Sequence, residues 1–147
     1  MNEKPIINGK SLKTKTAVIT GATSGLGRAT AIHFAHKGAF VIIVARNNAK
    51  AEEMIKIIEK DGGRGQFVIA DLSCMKETKE AAESIATLVD RLDVLINNAG
   101  AHFSKYKITK DGFESTLALN YLSPFLFTNR LLELMEKTAS KHDEARR

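Results

Sequence analysis

The stretch Thr20-Gly21-Ala22-Thr23-Ser24-Gly25-Leu26-Gly27 decides the fold expected for this chain. It follows an apolar run over residues 15–20 and precedes a segment with helical patterning over residues 28–37. A glycine turn between a strand and a helix is the context in which such a turn binds a dinucleotide. Because glycine has no Cβ, the backbone can approach a pyrophosphate closely, and the positive end of the helix then faces the phosphates. The sequence predicts such a turn here, with a purely structural turn as the alternative.

The rest of the chain alternates strands with helices. Residues 39–45 form a continuous apolar run rich in β-branched residues, typical of a strand buried on both faces in a parallel sheet. The pattern then predicts a helix over residues 48–60, a strand over 66–70 and, after a third helix, a strand over 92–96. The predicted fold class is therefore α/β, a Rossmann-type doubly wound parallel sheet of about four strands in the order 3-2-1-4, with flanking helices. The fourth strand is then an open edge, which predicts association through that edge.

Two helix starts are predicted from capping residues. Ser73 is placed to cap the third helix, whose apolar stripe comprises Ala81, Ile85, Leu88 and Val89. Asp111 and Glu114 have the spacing of a capping box that opens a long last helix ending near Lys137. The stripe predicted to face the core in that helix comprises Phe113, Leu117, Asn120, Pro124, Phe127, Leu131 and Leu134.

Composition and length are those of a single globular domain. The 147 residues are 44% apolar and 27% charged, which is ordinary for a soluble protein. The longest apolar run is too short to span a bilayer, and residues 1–15 lack the apolar stretch of a signal peptide, so a cytoplasmic location is expected. The single cysteine, Cys74, cannot form an internal disulfide. The net charge of +5 comes from scattered residues, so nucleic acid is not an expected partner, although a nucleic-acid-binding protein stays open as a weaker alternative.

The residue after the second strand indicates which dinucleotide is bound. Where a ribose-binding Asp or Glu is expected, about 20 residues beyond Gly25, the sequence has Ala45 and then Arg46. A carboxylate would repel a 2′-phosphate, whereas a guanidinium pairs with it through charge-assisted hydrogen bonds. The sequence therefore favours NADP(H) over NAD(H). The alternative is that Arg46 is a solvated residue at a strand end.

Three more motifs follow the glycine turn: Asp71-Leu72 after the third strand, Asn97-Asn98-Ala99-Gly100 after the fourth, and Asn120 in the last helix. In order and spacing, the four motifs resemble the short-chain dehydrogenase/reductase family, nearest to its retinol-dehydrogenase-like members. The resemblance covers the chain from Thr20 to Asn120. It implies an oxidoreductase that transfers a hydride between the nicotinamide of NADP(H) and a carbonyl or alcohol carbon of a small-molecule substrate.

The resemblance implies a role for each motif. Asp71 and Leu72 line the adenine pocket, and residues 98–100 place their backbone beside the ribose and the nicotinamide; a helix cap at Asp71 and a plain turn over residues 97–100 are the alternatives. In the family a basic residue often precedes the second motif glycine, but Ser24 stands there, so the prediction of NADP rests on Arg46 alone. The predicted cofactor-binding residues are Gly21, Thr23, Ser24, Gly25, Leu26, Gly27, Arg46, Asp71, Leu72, Asn98, Ala99 and Gly100.

Asn120 is the single residue predicted to serve catalysis. It lies on the apolar stripe of the last helix, so its amide is expected to face the core. Pro124 lacks an N–H and crowds the Asn120 carbonyl, so the helix is expected to bend there and leave that carbonyl free. The resemblance implies that this carbonyl holds a water that passes protons toward a catalytic lysine. A satisfied core asparagine beside an incidental proline is the alternative.

The groups that carry proton chemistry in the family, a Ser and a Tyr-x-x-x-Lys pair, are not expected within this chain. By family spacing they would fall beyond Arg147, so the 147 residues are expected to be inactive alone. The string from Tyr106 to Lys110 matches Tyr-x-x-x-Lys but lies in a predicted loop, and we interpret it as a coincidence. A non-catalytic dinucleotide-binding or regulatory module is the alternative function.

These predictions divide the chain into three parts: a leader over residues 1–14, an NADP-binding domain over residues 15–137 that is incomplete on its C-terminal side, and a polar tail over residues 138–147. A complete protein of this kind is expected to form a homo-oligomer and to have no membrane span. In these 147 residues, no pair of histidines lies near a carboxylate or cysteine at the spacing typical of metal ligands, so no metal site is predicted.

Overall fold

The structure, a computed structural model, describes residues 11–141 and forms one parallel sheet flanked by helices. The strand order is β3-β2-β1-β4, which confirms the predicted Rossmann-type arrangement. In chain order the elements are β1 (Thr16–Thr20), α1 (Gly25–His36), β2 (Phe40–Ala45), α2 (Asn48–Lys60), β3 (Arg64–Ile69), α3 (Met75–Leu88), β4 (Val94–Ile96), α4 (Ser115–Leu117), a π-helical segment (Ala118–Leu122) and α5 (Ser123–Lys141).

The central strands β1 and β2 are buried on both faces, as their uninterrupted apolar sequences predict. Neighbouring residues of a strand point to opposite sides of the sheet, so each strand contributes side chains to two hydrophobic cores, one on each face. Val18 and Ile42 contribute to the core under α3 and α5. Ile19 and Ile43 contribute to the other core, under α1 and α2. Helices therefore cover both faces, and the carboxyl ends of β1 and β2 are left as the open rim of the sheet.

The predicted start of α3 is wrong, because Ser73 does not cap it. The N-cap residue is Cys74, whose side chain makes no capping hydrogen bond. The Ser73 hydroxyl instead donates to Asp71 Oδ1 over 2.8 Å. The amide of Met75 donates to Asp111 Oδ2 over 2.8 Å, so the cap of α3 comes from a residue 36 positions further along the chain. The stripe of α3 was also wrong at Leu88, which is 43% exposed.

The predicted capping box of the last helix is wrong as well. Asp111 is engaged with α3, and the helix begins four residues later, at Ser115. Its N-cap is Glu114, whose carboxylate accepts from the amides of Thr116 and Leu117 over 2.8 and 2.9 Å. These two backbone hydrogen bonds lower the pKa of Glu114 below its ordinary value.

A π-helical segment, Ala118–Leu122, interrupts the last helix just before Pro124, where an irregularity was predicted. There the amide of Ser123 donates to the carbonyl of Ala118, five residues back. A π turn holds more residues than an α turn. The residues before it therefore point to a different side than they would in an uninterrupted α-helix. Phe127 and Leu131 are buried as predicted, but Phe113, Leu117 and Asn120 are exposed, which corrects the predicted stripe in its first half.

Helix α5 continues to Lys141, beyond its predicted end at Lys137. Thr138 explains the extension, because its hydroxyl is buried, donates to the Leu134 carbonyl over 2.7 Å and accepts from the Leu92 amide over 2.9 Å. Residues 138–141 therefore belong to the packed helix and not to a tail. Residues 142–147 and most of the predicted leader lie outside the described residues.

Asp93 lies just before β4, and its side chain binds the first residue of the neighbouring strand β1. Its carboxylate accepts from the Thr16 amide over 2.9 Å and from Arg91 through two hydrogen bonds, and it lies 3.3 Å from Lys15 Nζ. Partial burial raises the pKa of Asp93, but the hydrogen bonds from Arg91 and Thr16, the charge of Arg91 and the hydrogen bond from Lys15 together bring it below its ordinary value. The ionised form is therefore the one that stabilises the fold.

The variant Asp93→Asn is expected to lower the free energy of unfolding at pH 7 by about 1 to 3 kcal/mol, because Arg91 and Lys15 lose their anionic partner. A carboxylate with a lowered pKa stabilises the fold above its unfolded pKa, and that contribution disappears as the pH falls through the folded pKa. The gap between wild type and variant should therefore close below about pH 4. Urea unfolding at several pH values measures this gap. The control Glu133→Gln alters an exposed carboxylate paired with Lys137 and should change the midpoint much less than Asp93→Asn at every pH, because exposed pairs contribute little.

Candidate cofactor-binding site

A cavity of about 260 Å³ opens at the carboxyl ends of β1, β2 and β4, and we call it the glycine-turn cavity. It is the position where parallel α/β sheets place ligands. Ten of the twelve predicted cofactor-binding residues line it, and Gly25 and Asp71 do not. The ten are Gly21, Thr23, Ser24, Leu26, Gly27, Arg46, Leu72, Asn98, Ala99 and Gly100.

Gly21 and Gly27 allow the glycine turn to pack against the segment after β4. Gly21 has a φ of 66°, and a Cβ there would lie 2.8 Å from the Cα of Ala99. A Cβ on Gly27 would collide with Nδ2 of Asn98 and lie 2.6 Å from the Gly21 carbonyl oxygen. Both glycines therefore have a packing role that does not depend on any ligand.

Gly25 differs from the other two glycines of the turn. Its φ is 55°, and a Cβ built on it would meet nothing within 4 Å. The residue begins α1, so its backbone borders open space at the positive end of a helix of 12 residues. This opening has the properties expected of a cradle for a phosphate group.

Hydrogen bonds from Asn98 and Thr20 hold the turn in place. The Asn98 amide group donates to the carbonyls of Thr20 and Gly21 over 3.0 and 3.2 Å. The Thr20 hydroxyl accepts from the backbone amides of Asn98 and Ala99 over 3.0 and 2.9 Å. The Asn98 side-chain amide and the backbone N–H groups of Asn98 and Ala99 are thus engaged inside the protein, so none of these donors is left to face a ligand. Sequence reasoning missed the role of Thr20, since a hydroxyl at a strand end carries no signal of a partner 78 residues away.

The N-terminus of α1 is electrostatically suited to an anion. The first amides of a helix have no partner within the helix. The first turn of α1 contains no acidic residue, and its N-cap, Ser24, makes no side-chain capping hydrogen bond. The Ser24 side chain is exposed and that of Thr23 is half-buried, so two hydroxyl groups also border the cavity.

Arg46 follows β2 and lies exposed on the rim of the glycine-turn cavity. It also lines a second cavity, of about 250 Å³, together with Asp71. Asp71 Oδ1 accepts from the amide and the hydroxyl of Ser73, so its carboxylate does not act as a helix cap. Leu72 is buried and forms an apolar wall of the glycine-turn cavity with Val44, Ala70 and Leu119.

Asn120 stands in the π-helical segment and binds the chain after the Asn97–Gly100 motif. Its side chain accepts from the Ala101 amide over 3.0 Å and donates to the Ala101 carbonyl over 2.9 Å. The prediction that it faces the core is wrong, because the π turn directs it to this exposed loop. Asn120 therefore does not line the cavity; its side chain holds Ala101, which does.

The string from Tyr106 to Lys110 is the match to Tyr-x-x-x-Lys that we interpret as a coincidence. Tyr106 is 80% exposed in a loop, which confirms that the Tyr106–Lys110 string lies outside any helix. Within residues 11–141, no group of three or more His, Cys, Asp or Glu side chains is arranged to hold a metal ion. No helix in the same part of the chain is both long and apolar enough to cross a membrane.

The sequence model of the short chain dehydrogenase family matches residues 15–142, which is most of the chain. The chain belongs to the short chain dehydrogenase family. Among the relatives of this chain, retinol dehydrogenase 14 of Mus musculus is 41% identical over 137 residues, covering 85% of this chain and 41% of the relative. Polyprenol dehydrogenase of Homo sapiens is 36% identical over 134 residues, covering 90% of this chain and 41% of the relative. The chain thus spans about two fifths of the length of these relatives.

Solved structures of the family share the fold of this chain. The complex of Pseudomonas aeruginosa RhlG with NADP gives a TM-score of 0.75 at 31% identity, covering 87% of this chain and 50% of that one. A metagenomic short-chain oxidoreductase in complex with NADP gives a TM-score of 0.76 at 28% identity, covering 85% of this chain and 58% of that one. The predicted family and fold are confirmed.

Proposed function

We propose that this short chain dehydrogenase binds NADP(H) in the glycine-turn cavity, as part of an oxidoreductase that acts on a carbonyl or alcohol group of a small molecule. The observation that carries the proposal is the open space at Gly25, at the positive end of α1, whose neighbours Ser24 and Leu26 line a cavity with an apolar wall. The positive end of a helix suits the pyrophosphate, and an apolar wall next to it suits the adenine. NADP is also the ligand in the complexes of RhlG and of the metagenomic oxidoreductase.

Each part of the cavity suits one part of the dinucleotide. The amides of the first turn of α1 and the hydroxyls of Thr23 and Ser24 would donate to the pyrophosphate. Leu72 and Leu119 would cover the adenine, and Arg46 on the rim would pair with a 2′-phosphate. The bound cofactor supplies the hydride, while the protein binds and orients it.

Asn120 is proposed to serve catalysis indirectly. Its side chain fixes Ala101, directly after Gly100, and so sets the shape of the backbone that would border the nicotinamide. A non-catalytic dinucleotide-binding module would use the same contacts, and NADPH oxidation with aldehydes and ketones by the complete protein, rather than by these 147 residues alone, distinguishes the two. The cytoplasmic location and the homo-oligomer of the complete protein stay predictions.

The preference for NADP(H) is tested by titrating the chain with NADPH and with NADH by isothermal calorimetry. Wild type is expected to bind NADPH more tightly, and Arg46→Ala should weaken NADPH about ten- to hundredfold, since a charge-assisted hydrogen bond contributes about 1.5 to 3 kcal/mol. NADH affinity should stay unchanged. Arg130→Ala is the matched control, because Arg130 is exposed on α5 and does not line the cavity. Equal wild-type affinity for both cofactors would overturn the preference.

A further inference from the structure

The second cavity adjoins the glycine-turn cavity, because Arg46 lines both. One wall of the second cavity comes from the segment after β3, and the opposite wall comes from the loop between β4 and α4. That loop contributes Lys107 and Lys110. Arg46 is the single cation among the described residues that line the glycine-turn cavity, whereas three cations surround the second one.

The loop that carries the two lysines is fixed on both sides. The Lys107 carbonyl accepts from the amide and the hydroxyl of Ser115, at the start of α4, over 2.8 and 2.9 Å. One residue beyond Lys110, the Asp111 carboxylate accepts from the Met75 amide of α3. The backbone of both lysines is therefore held at the cavity. Their side chains are exposed, and the flexible four-carbon stem of each lets its ammonium group reorient.

Two carboxylates also line this cavity, and both are engaged elsewhere. Asp71 Oδ1 accepts from the amide and the hydroxyl of Ser73, and Glu77 Oε2 accepts from the Asp71 amide over 2.7 Å. Across residues 11–141, no ion pair joins a carboxylate to Arg46, Lys107 or Lys110. Three cations against two carboxylates thus leave the lining of the cavity with one excess positive charge, and no cation is held by a carboxylate.

We propose that Lys107 and Lys110 act together with Arg46 on the 2′-phosphate of NADP(H), and so contribute to the choice between NADP(H) and NAD(H). The inference rests on the proposed function, because it assigns further residues to the same dinucleotide. Arg46 lines both cavities, so a phosphate bound beside Arg46 lies next to the cavity that the lysines border. Exposed charges act on one another over about 8 to 10 Å at moderate salt. Among the described residues, neither lysine side chain is paired with a carboxylate whose loss would oppose the new interaction.

Two small nucleotides test the inference without turnover. The probes are 2′,5′-ADP, which carries the 2′-phosphate, and 5′-AMP, which lacks it, each titrated by calorimetry in wild type and in the double variant Lys107→Ala/Lys110→Ala. We expect the Kd of 2′,5′-ADP to rise about three- to tenfold in the double variant, as for two exposed charge pairs, and that of 5′-AMP to change less than about twofold. The control Lys105→Ala removes an exposed charge from the same loop that does not line the cavity, and it should change neither.

The possible outcomes separate this inference from the proposed function. A folded double variant that binds 2′,5′-ADP as tightly as wild type overturns the role of the lysines and leaves the NADP(H) site intact. An equal loss for both probes also overturns it, since the 2′-phosphate would then not be the group recognised. A folded wild type that binds neither 2′,5′-ADP nor NADPH overturns the proposed function together with the inference. Circular dichroism of each variant establishes that it is folded.

Discussion

The Gly27→Ala variant is expected to lose about 3 kcal/mol or more of its free energy of unfolding. A Cβ at this position would collide with Asn98 Nδ2 and lie 2.6 Å from the Gly21 carbonyl oxygen, so the turn and the segment after β4 must separate. Overpacking costs about 1 to 3 kcal/mol, and the hydrogen bonds of Asn98 are lost with it. The predicted sign is opposite to helix propensity, which favours alanine over glycine within a helix by about 1 kcal/mol. Urea unfolding followed by far-ultraviolet circular dichroism measures the change.

Gly25→Ala is the matched control for this prediction. It introduces the same Cβ into the same turn, but into open space, so its cost is the left-handed backbone alone, about 1 to 2 kcal/mol. A Gly27→Ala variant that is as stable as Gly25→Ala would show that the contact with Asn98 is not as tight as described.

The Gly25→Asp variant is expected to fold and to lose NADPH binding, with Kd raised more than about hundredfold. Asp tolerates a positive φ better than most residues, and a carboxylate at the start of a helix is favourable to the helix. The same carboxylate would stand where the pyrophosphate is proposed to lie, and like charges placed together cost several kcal/mol. Calorimetric titration with NADPH gives the Kd, and thermal unfolding establishes that the variant is folded.

Gly25→Asn separates charge from bulk. The amide has the size and backbone tolerance of the carboxylate but carries no charge. Its Kd should lie between that of wild type and that of Gly25→Asp, at least about tenfold below the latter. Equal effects of the two substitutions would mean that no negative charge of the ligand approaches Gly25.

The sheet was predictable because its signals are local. Residues 40–45 are apolar without interruption, and a strand of this kind requires cover on both faces, which leads to helices on both sides. The order 3-2-1-4 is the usual one for a sheet of this kind. The glycine turn was predictable for the same reason. Its glycines occur at a fixed spacing between a strand and a helix, and that context is visible within 20 residues.

The features that were missed depend on contacts between distant residues. Asp111 has the spacing of a local capping box with Glu114, yet it caps α3 from 36 residues away. The Thr20 hydroxyl binds amides nearly 80 residues away, which no periodicity reveals. Asn120 was assigned to the core because an α-helical period was assumed, and one π turn rotates it to the surface. Local pattern thus predicted the glycine turn and Arg46, the family resemblance predicted Leu72 and residues 98–100, and tertiary contacts determined how each of them is held.

The most direct measurement of the central claim, that the glycine turn binds a dinucleotide, is the change in backbone amide resonances of the 16.1 kDa chain on titration with NADPH. The account predicts that the largest saturable shifts occur at residues 23–28, with smaller ones at Arg46 and residues 98–101, and that the Gly25→Asp variant shows none of them. Saturable shifts centred elsewhere, or no saturable shift in a folded wild type, would contradict it.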